Sequence, residues 1–455
     1  MRRRMRILIV INDYFNPSNG MSISTRRFVE QWKARGYEVR VVAAGVNGDP
    51  DYPLRVEKIP LFHRIIAQQG FHFAHVDRQV VRCAVQWADV VHVHDPFPLC
   101  HEAVLAARRL GKPVVGTFHL FPENMTASVS YLNNRAMNMA LMRRFIDSVY
   151  RHCDLVIAPT QRVFERLRAS GLKVDCHVVS NGIADDFLLP APRVPLHWTQ
   201  AGLSHRWQAI QQMSVVSAPT SALAEGFAPE DRCADEGVDI HDGAGKQGGM
   251  TRLDCENGSD GADRLDRAPS GDSPAFVVVS AGRLSHEKGQ DTLIRAIART
   301  REPERIGLVL AGKGPRAKAY KDLASRLGVC YHQGFYEKDS LRALFDQADL
   351  YVHCAQVEIE GMACMEAFAR GLVPLIAEAP LSSTATYALS EANYFPGGDV
   401  DALAAGIDEW LDNPKRREQC GNDYVKLAHE LSIERSGQTI LSLMKRVCKD
   451  LSNYE

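Results

Sequence analysis

The stretch EIEGMACMEAFARGLVP, residues 358–374, sets Glu358 and Glu366 with seven residues between them, in a segment otherwise small and apolar. Ionised carboxylates only accept hydrogen bonds, and they accept them in pairs, which suits vicinal hydroxyls such as those of a ribose or a hexose. Gly361, Met362 and Ala363 fit a helix start that allows close backbone approach, with Glu358 in the loop before it and Glu366 in its first turns. The plainer reading is an acid favourably placed near a helix N-terminus, worth about 0.3–1 kcal/mol with no ligand at all.

Upstream, SAGRLSHEKGQDTLIRAI (280–297) puts Arg283 and Lys288 on a loop between an apolar strand and a helix. Two cations at a strand's carboxyl end can converge on one diphosphate, Arg as a planar fork and Lys as a point charge. Such a clamp stabilises a leaving group more as it gains charge than before. The alternative is a pair of solvated surface charges. In the N-terminal half, the loop NDYFNPSNGMS (12–22) can turn tightly and bring backbone N–H groups near Gly20 to an anion. It lacks the G-x-G-x-x-G spacing of a dinucleotide site, and an ordinary βα turn explains it equally. In GTFHLFPENM (116–125), His119 follows an apolar strand and can orient or deprotonate a hydroxyl, although a lone histidine is commonly structural.

These residues need elements to hold them. Short continuous apolar runs at 6–11, 38–43, 90–94, 113–118 and 154–160 read as strands buried on both faces, with helical patterns at 22–35, 100–110 and 161–169 between them. The grammar resumes at 275–284, 306–311, 349–353 and 373–377, with helical patterns between and a last one at 436–449. Repeated β-α-β predicts an α/β protein with two Rossmann-like, doubly wound domains facing a cleft. The expected divisions are 1–196, an insertion at 197–274, a second domain at 275–430, and a C-terminal helical segment at 431–455 that crosses back to the first domain. The insertion is rich in Gly, Asp and Ser and poor in apolar periodicity, so it is expected to be disordered.

The totals narrow the function. The 455 residues carry a net charge of −1, so no global field points to nucleic acid. Residues 1–196 hold 26 Lys and Arg against 17 Asp and Glu, a modest hint of an anionic surface as partner. The segment NNRAMNMALMRRFIDSVYRHC (133–153) sets Met137, Leu141, Phe145 and Val149 on one helical face beside Arg135, Arg143, Arg144 and Arg151. It can lie on an anionic bilayer or, more simply, pack as a core helix with a basic outer side. Eleven scattered cysteines with no C-x-x-C pair fit neither a disulfide framework nor a zinc site and point to a reducing cytoplasm. The apolar run 7–11 is too short for a signal core or a membrane span.

Taken together, the E-x7-E pair Glu358/Glu366, the GRL-x-x-EKG motif with Arg283 and Lys288, the glycine loop near Gly20, VVSNGI (178–183) and AGKGP (311–315, with Gly312) resemble the retaining glycosyltransferases of family four, whose fold is GT-B. The resemblance covers the chain apart from the insertion. It implies that Arg283 and Lys288 bind the diphosphate of a nucleotide sugar. It implies that Glu358 and the backbone of Gly361, Met362 and Ala363 contact the donor sugar, that Glu366 holds the ribose, and that His119 stands near donor sugar and acceptor. It further implies no cofactor and no metal. Members with a similar T-x-H segment glycosylate diacylglycerol or phosphatidylinositol at a membrane surface. The expected activity is therefore hexosyl transfer, UDP-hexose favoured, to a lipid hydroxyl, by a cytoplasmic protein peripheral to the inner face of the membrane. A soluble sugar or polysaccharide acceptor, a non-catalytic nucleotide-sugar binder and a sugar-nucleotide epimerase are the alternatives. The chain departs from the family pattern at Ile359, Glu360, Gly361, Met362 and Ala363, where Gly-Phe-Gly often follows the first Glu.

Overall fold

A computed structural model describes residues 4–17, 19–57, 71–126, 134–190, 200–214 and 274–448. The apolar runs of the N-terminal half become strands β1 (Arg6–Val10), β2 (Glu38–Ala44), β3 (Tyr52–Leu54), β4 (Val90–Val93), β5 (Val114–Thr117), β6 (Leu155–Ala158) and β7 (Cys176–Val178). They pair in parallel in the order β3-β2-β1-β4-β5-β6-β7. Parallel strands require crossovers, and helices such as α1 (Gly20–Ala34) supply them and cover both faces. Every residue of β4, β5 and β6 is buried, which is why these segments read as unbroken apolar runs rather than as alternation.

The second half repeats the plan. Strands β8 (Phe276–Ala281), β9 (Ile306–Ala311), β10 (Cys330–Gly334), β11 (Leu350–His353), β13 (Pro374–Glu378) and β15 (Tyr394–Pro396) form a parallel sheet in the order β10-β9-β8-β11-β13-β15. Between the halves lies a two-stranded parallel pair, β12 (Val357–Glu358) with β14 (Leu381–Ser382). The buried side chains of Val357 and Ile359 pack into the core of the first sheet, so the strand that carries Glu358 is held by both domains.

The chain changes domain earlier than residue 196. Ile183, Ala184 and Phe187 already pack with the core of the second sheet. The expectation of a disordered insertion from 197 is also corrected in part. Residues Gln200–Met213 form a helix, with Trp207 and Ile210 buried against that same core. Arg206 binds the carbonyl of Gln347 and pairs with Asp349 at 2.6 Å. Burying two large apolar side chains contributes about 1.5–3 kcal/mol each, which the polar composition of the following residues concealed. The rest of that insertion lies outside the described residues. At the other end, the helix Ile433–Val447 returns to the first domain, where Ile440, Leu441 and Met444 join its core and Trp32 Nε1 donates to Gly437 O at 3.2 Å. Among the described residues, no helix is long and apolar enough to cross a membrane.

Candidate active site

Both sheets reverse their strand order once, the first between β1 and β4, the second between β8 and β11. The crevice outside the carboxyl ends of such strands is where open α/β sheets bind ligands. The residues singled out in the sequence fall at or beside these two reversals. Loop 12–19 follows β1, His94 and Asp95 follow β4, Arg283 follows β8, and Glu358 follows β11.

The loop after β1 is a built polar structure. Asn12 donates from its backbone N at 2.8 Å and its Nδ2 at 2.7 Å to the Asp95 carboxylate. Asp13 Oδ2 accepts from Asn16 Nδ2 at 2.9 Å and from the backbone N of His72 at 3.0 Å. All four of Asn12, Asp13, Asn16 and Asp95 are buried. Burial pushes the Asp95 pKa up, against the hydrogen bonds from Asn12. Asn19 then caps α1, accepting from Met21 N at 3.0 Å. A Cβ on Gly20 would sit 3.6 Å from Met362 Sδ, so the N-termini of α1 and of the helix Met362–Ala369 abut across the cleft.

On the opposite wall the backbone sets the cations. A Cβ on Gly312 would lie 1.9 Å from the carbonyl oxygen of Gly282, and one on Gly314 would lie 2.2 Å from that of Leu284. Only glycine lets the loop after β9 lie on the Arg283 loop this closely. Gly312 N is itself donated to Gly334 O at 2.7 Å, so its contribution is to shape the Arg283 loop. Arg283 is half-buried and makes no ion pair among the described residues; burial lowers its pKa. Lys288 closes a single 3₁₀ turn, and its Nζ binds Glu358 Oε2 at 2.5 Å. His353 Nε2 stands 3.7 Å from the same oxygen. Burial works to raise the Glu358 pKa, but Lys288 and then His353 outweigh it and leave the carboxyl below its ordinary value. Glu358 is therefore an ionised acceptor at neutral pH, while Lys288 keeps two further N–H donors.

Gly361 has φ +81°, and a Cβ there would lie 2.5 Å from Thr384 Oγ1. This turn starts the helix Met362–Ala369 and carries its first N–H groups to the cleft. Glu366, on the next turn, is buried and pairs at 2.7 Å with Arg27 of α1. Glu360, the departure from the family pattern, faces the other way. It is buried and accepts from Asn181 N at 2.9 Å, Asn181 Nδ2 at 2.6 Å and Tyr387 OH at 2.9 Å. The VVSNGI segment is thereby tied to the second domain.

His119 stands after β5 in the first domain. Its Nε2 lies 3.1 Å from His94 Nδ1, and the two rings are nearly parallel, 17° apart. His94 Nδ1 is also 3.1 Å from Thr25 Oγ1 of α1. Burial lowers the His119 and His92 pKa values to about 3 and holds His94 well below the usual imidazole range.

Two family models match the chain: Glycosyltransferase Family 4 over residues 18–187 and Glycosyl transferases group 1 over residues 263–425. The chain belongs to the family four glycosyltransferases of GT-B fold. This glycosyltransferase is 22% identical over 452 residues to an alpha-monoglucosyldiacylglycerol synthase of Streptococcus pneumoniae, covering 96% of this chain and 84% of that protein. It is 23% identical over 380 residues to a GDP-mannose-dependent alpha-mannosyltransferase of Corynebacterium glutamicum, covering 82% of this chain and 72% of that one. Its fold matches Anabaena HepE, solved in complex with UDP, with a TM-score of 0.63 at 15% identity over 97% of this chain and all of that one.

The glycosyltransferase brings Lys288 and Glu358 into direct contact, sets Gly20 against Met362, and presents Arg283 and His119 from the strand ends around them. Sequence reasoning missed Arg27, Glu360 with Asn181, and His94. The signals were present for two of them. A carboxylate in place of an aromatic residue at Glu360 needs partners, and His92, His94 and His119 all follow or sit in apolar strands. Arg27 gave no signal, because its partner is 339 residues away.

Proposed function

We propose that this glycosyltransferase moves a hexosyl group from a nucleotide diphosphate sugar, UDP-hexose favoured, to a lipid hydroxyl with retention of configuration. The observation that carries the reading is the charged pair Lys288–Glu358 at the second domain's strand reversal, with Arg283 on the loop after β8 and His119 on the loop after β5 of the first domain. Arg283 and the free donors of Lys288 take the diphosphate and stabilise the departing nucleotide as its charge grows. Glu358 accepts from sugar hydroxyls, the backbone of Gly361, Met362 and Ala363 cradles the donor sugar, and Glu366 holds the ribose. His119 orients a sugar or acceptor hydroxyl. The chemistry is that of side chains and backbone, with no metal or cofactor.

The lipid acceptor and the UDP donor draw support from the diacylglycerol named for the Streptococcus relative and the UDP bound by the Anabaena fold relative. The first domain's basic balance fits work as a peripheral protein at the inner face of the membrane. GDP-mannose is the second donor to test, since the Corynebacterium relative's name specifies it. The experiment is turnover of labelled UDP- and GDP-sugars with diacylglycerol-containing vesicles, followed by NMR of the product's anomeric linkage. Retained linkage on lipid confirms the reading. Tight UDP binding without any product makes the chain a binder, and product only on soluble acceptors removes the lipid.

A further inference from the structure

The hydrogen bonds behind His119 fix where its proton sits. Thr25 Oγ1 donates its one proton to Met21 O at 2.7 Å. Toward His94 Nδ1, 3.1 Å away, the same oxygen can therefore only accept. So Nδ1 of His94 carries a proton, and that N–H also faces His119 Nε2 at 3.1 Å. The opposite tautomer of His94 would bury an N–H at Nε2, an atom with no partner among the described residues. An orphaned buried donor is rarer and costlier than an orphaned lone pair. With His94 donating, His119 Nε2 must be the bare nitrogen.

We infer that His94, seated by Thr25, is a positioning residue that holds His119 as its Nδ1–H tautomer, so that the cleft receives a hydrogen-bond donor and not a base. The remaining nitrogen of His119, Nδ1, makes no hydrogen bond among the described residues and is not among the buried atoms. A ring without such a neighbour prefers the proton on Nε2, so the arrangement works against the intrinsic preference. The donor suits an oxygen that accumulates charge or a sugar hydroxyl's lone pair. This use of the donor rests on the proposed glycosyl transfer, whereas the tautomer itself does not.

The test is a long-range proton–nitrogen NMR correlation of the imidazoles in the full-length, ligand-free protein labelled with nitrogen-15. The His119 signals are assigned by their loss in His119→Gln. Wild-type His119 is expected with Nδ1 protonated and Nε2 bare. His94→Phe keeps a ring but removes the donor, and Thr25→Val releases His94; each should return His119 toward the Nε2–H form. His94→Asn, whose amide N–H stands close to where Nδ1–H was, should keep the native tautomer. If transfer occurs, kcat should fall about tenfold in His94→Phe and recover in His94→Asn, with UDP affinity unchanged in both. An Nε2–H His119 in the wild-type protein, or a tautomer indifferent to both His94→Phe and Thr25→Val, overturns the inference. A correct tautomer without any turnover would instead overturn the proposed function alone.

Discussion

The two walls of the cleft are built alike and charged differently. Each is the carboxyl edge of a parallel sheet at its strand reversal. The first wall presents a network of hydrogen bonds around buried groups: Asn12 with Asp95, Asp13 with Asn16 and His72, and His94 between Thr25 and His119. The second presents charge, the Lys288–Glu358 pair and, on the loop after β8, Arg283. Buried groups already held by hydrogen bonds discriminate by hydrogen-bond direction. Partly exposed ions keep their charge and act on phosphate. A transferase with a charged leaving group and a neutral acceptor needs both, one on each side.

The comparison can be broken most strongly at the charged wall. Lys288→Ala should lower kcat/KM about 10²–10³-fold, as for loss of one preorganised charge stabiliser, with a smaller cost to the melting temperature, since both partners of the Lys288–Glu358 pair keep about one-fifth of their surface in solvent. Steady-state kinetics beside calorimetry checks both parts, and unchanged kcat/KM would remove the diphosphate role. Glu360→Ala should show the reverse pattern. It leaves the Asn181 and Tyr387 donors without their acceptor in a buried site and should cost about 2–4 kcal/mol of stability by denaturant titration. Gly361→Ala should cost about 1–3 kcal/mol through positive φ and the Thr384 contact, and should weaken UDP binding measured by calorimetry.

The smallest effect sharpens the contrast through pH. At His92, His94 and His119 in the first domain and His353 in the second, burial holds the pKa below the ordinary imidazole value near 6.5. As pH falls, the unfolded chain takes up these protons before the folded one does. Stability is therefore present above about 6.5 and lost below it, by about 1.4 kcal/mol per histidine between pH 7.5 and 5.5. The first domain carries three of these groups against one, so melting scans at pH 7.5 and 5.5 should show it losing more stability than the second. Equal acid sensitivity of the two domains would refute this difference between the walls.

Much of this was legible in the residues. Strands buried on both faces must be nearly all apolar, so β1, β4, β6, β9 and β11 announced themselves, and the breaks between them located the loops that hold Arg283, Glu358 and His119. Helix faces were less secure. On Arg135–Ser148 the seam read as Met137, Leu141, Phe145 and Val149, yet Met137 is exposed while Asn138, Met142 and Ile146 are buried. The face turned by about one residue because Asn138 finds a buried partner in Thr126 Oγ1 at 2.8 Å, which no hydropathy pattern reveals.

The chain alone determined its class, two doubly wound domains, and the four side chains Arg283, Lys288, Glu358 and Glu366 with His119 as the ones to watch. Local chemistry carries that information: β-α-β spacing, glycines at tight turns, and charge types that suit phosphate and hydroxyl. The tertiary structure decided which of them meet. It gave Lys288 to Glu358, Arg27 to Glu366, Asn181 to Glu360 and His94 to His119. Those partners come from segments tens to hundreds of residues apart; Lys288–Glu358 and His94–His119 meet where strand ends of one sheet lie side by side, Arg27–Glu366 where the two halves close, and no short window of sequence encodes either.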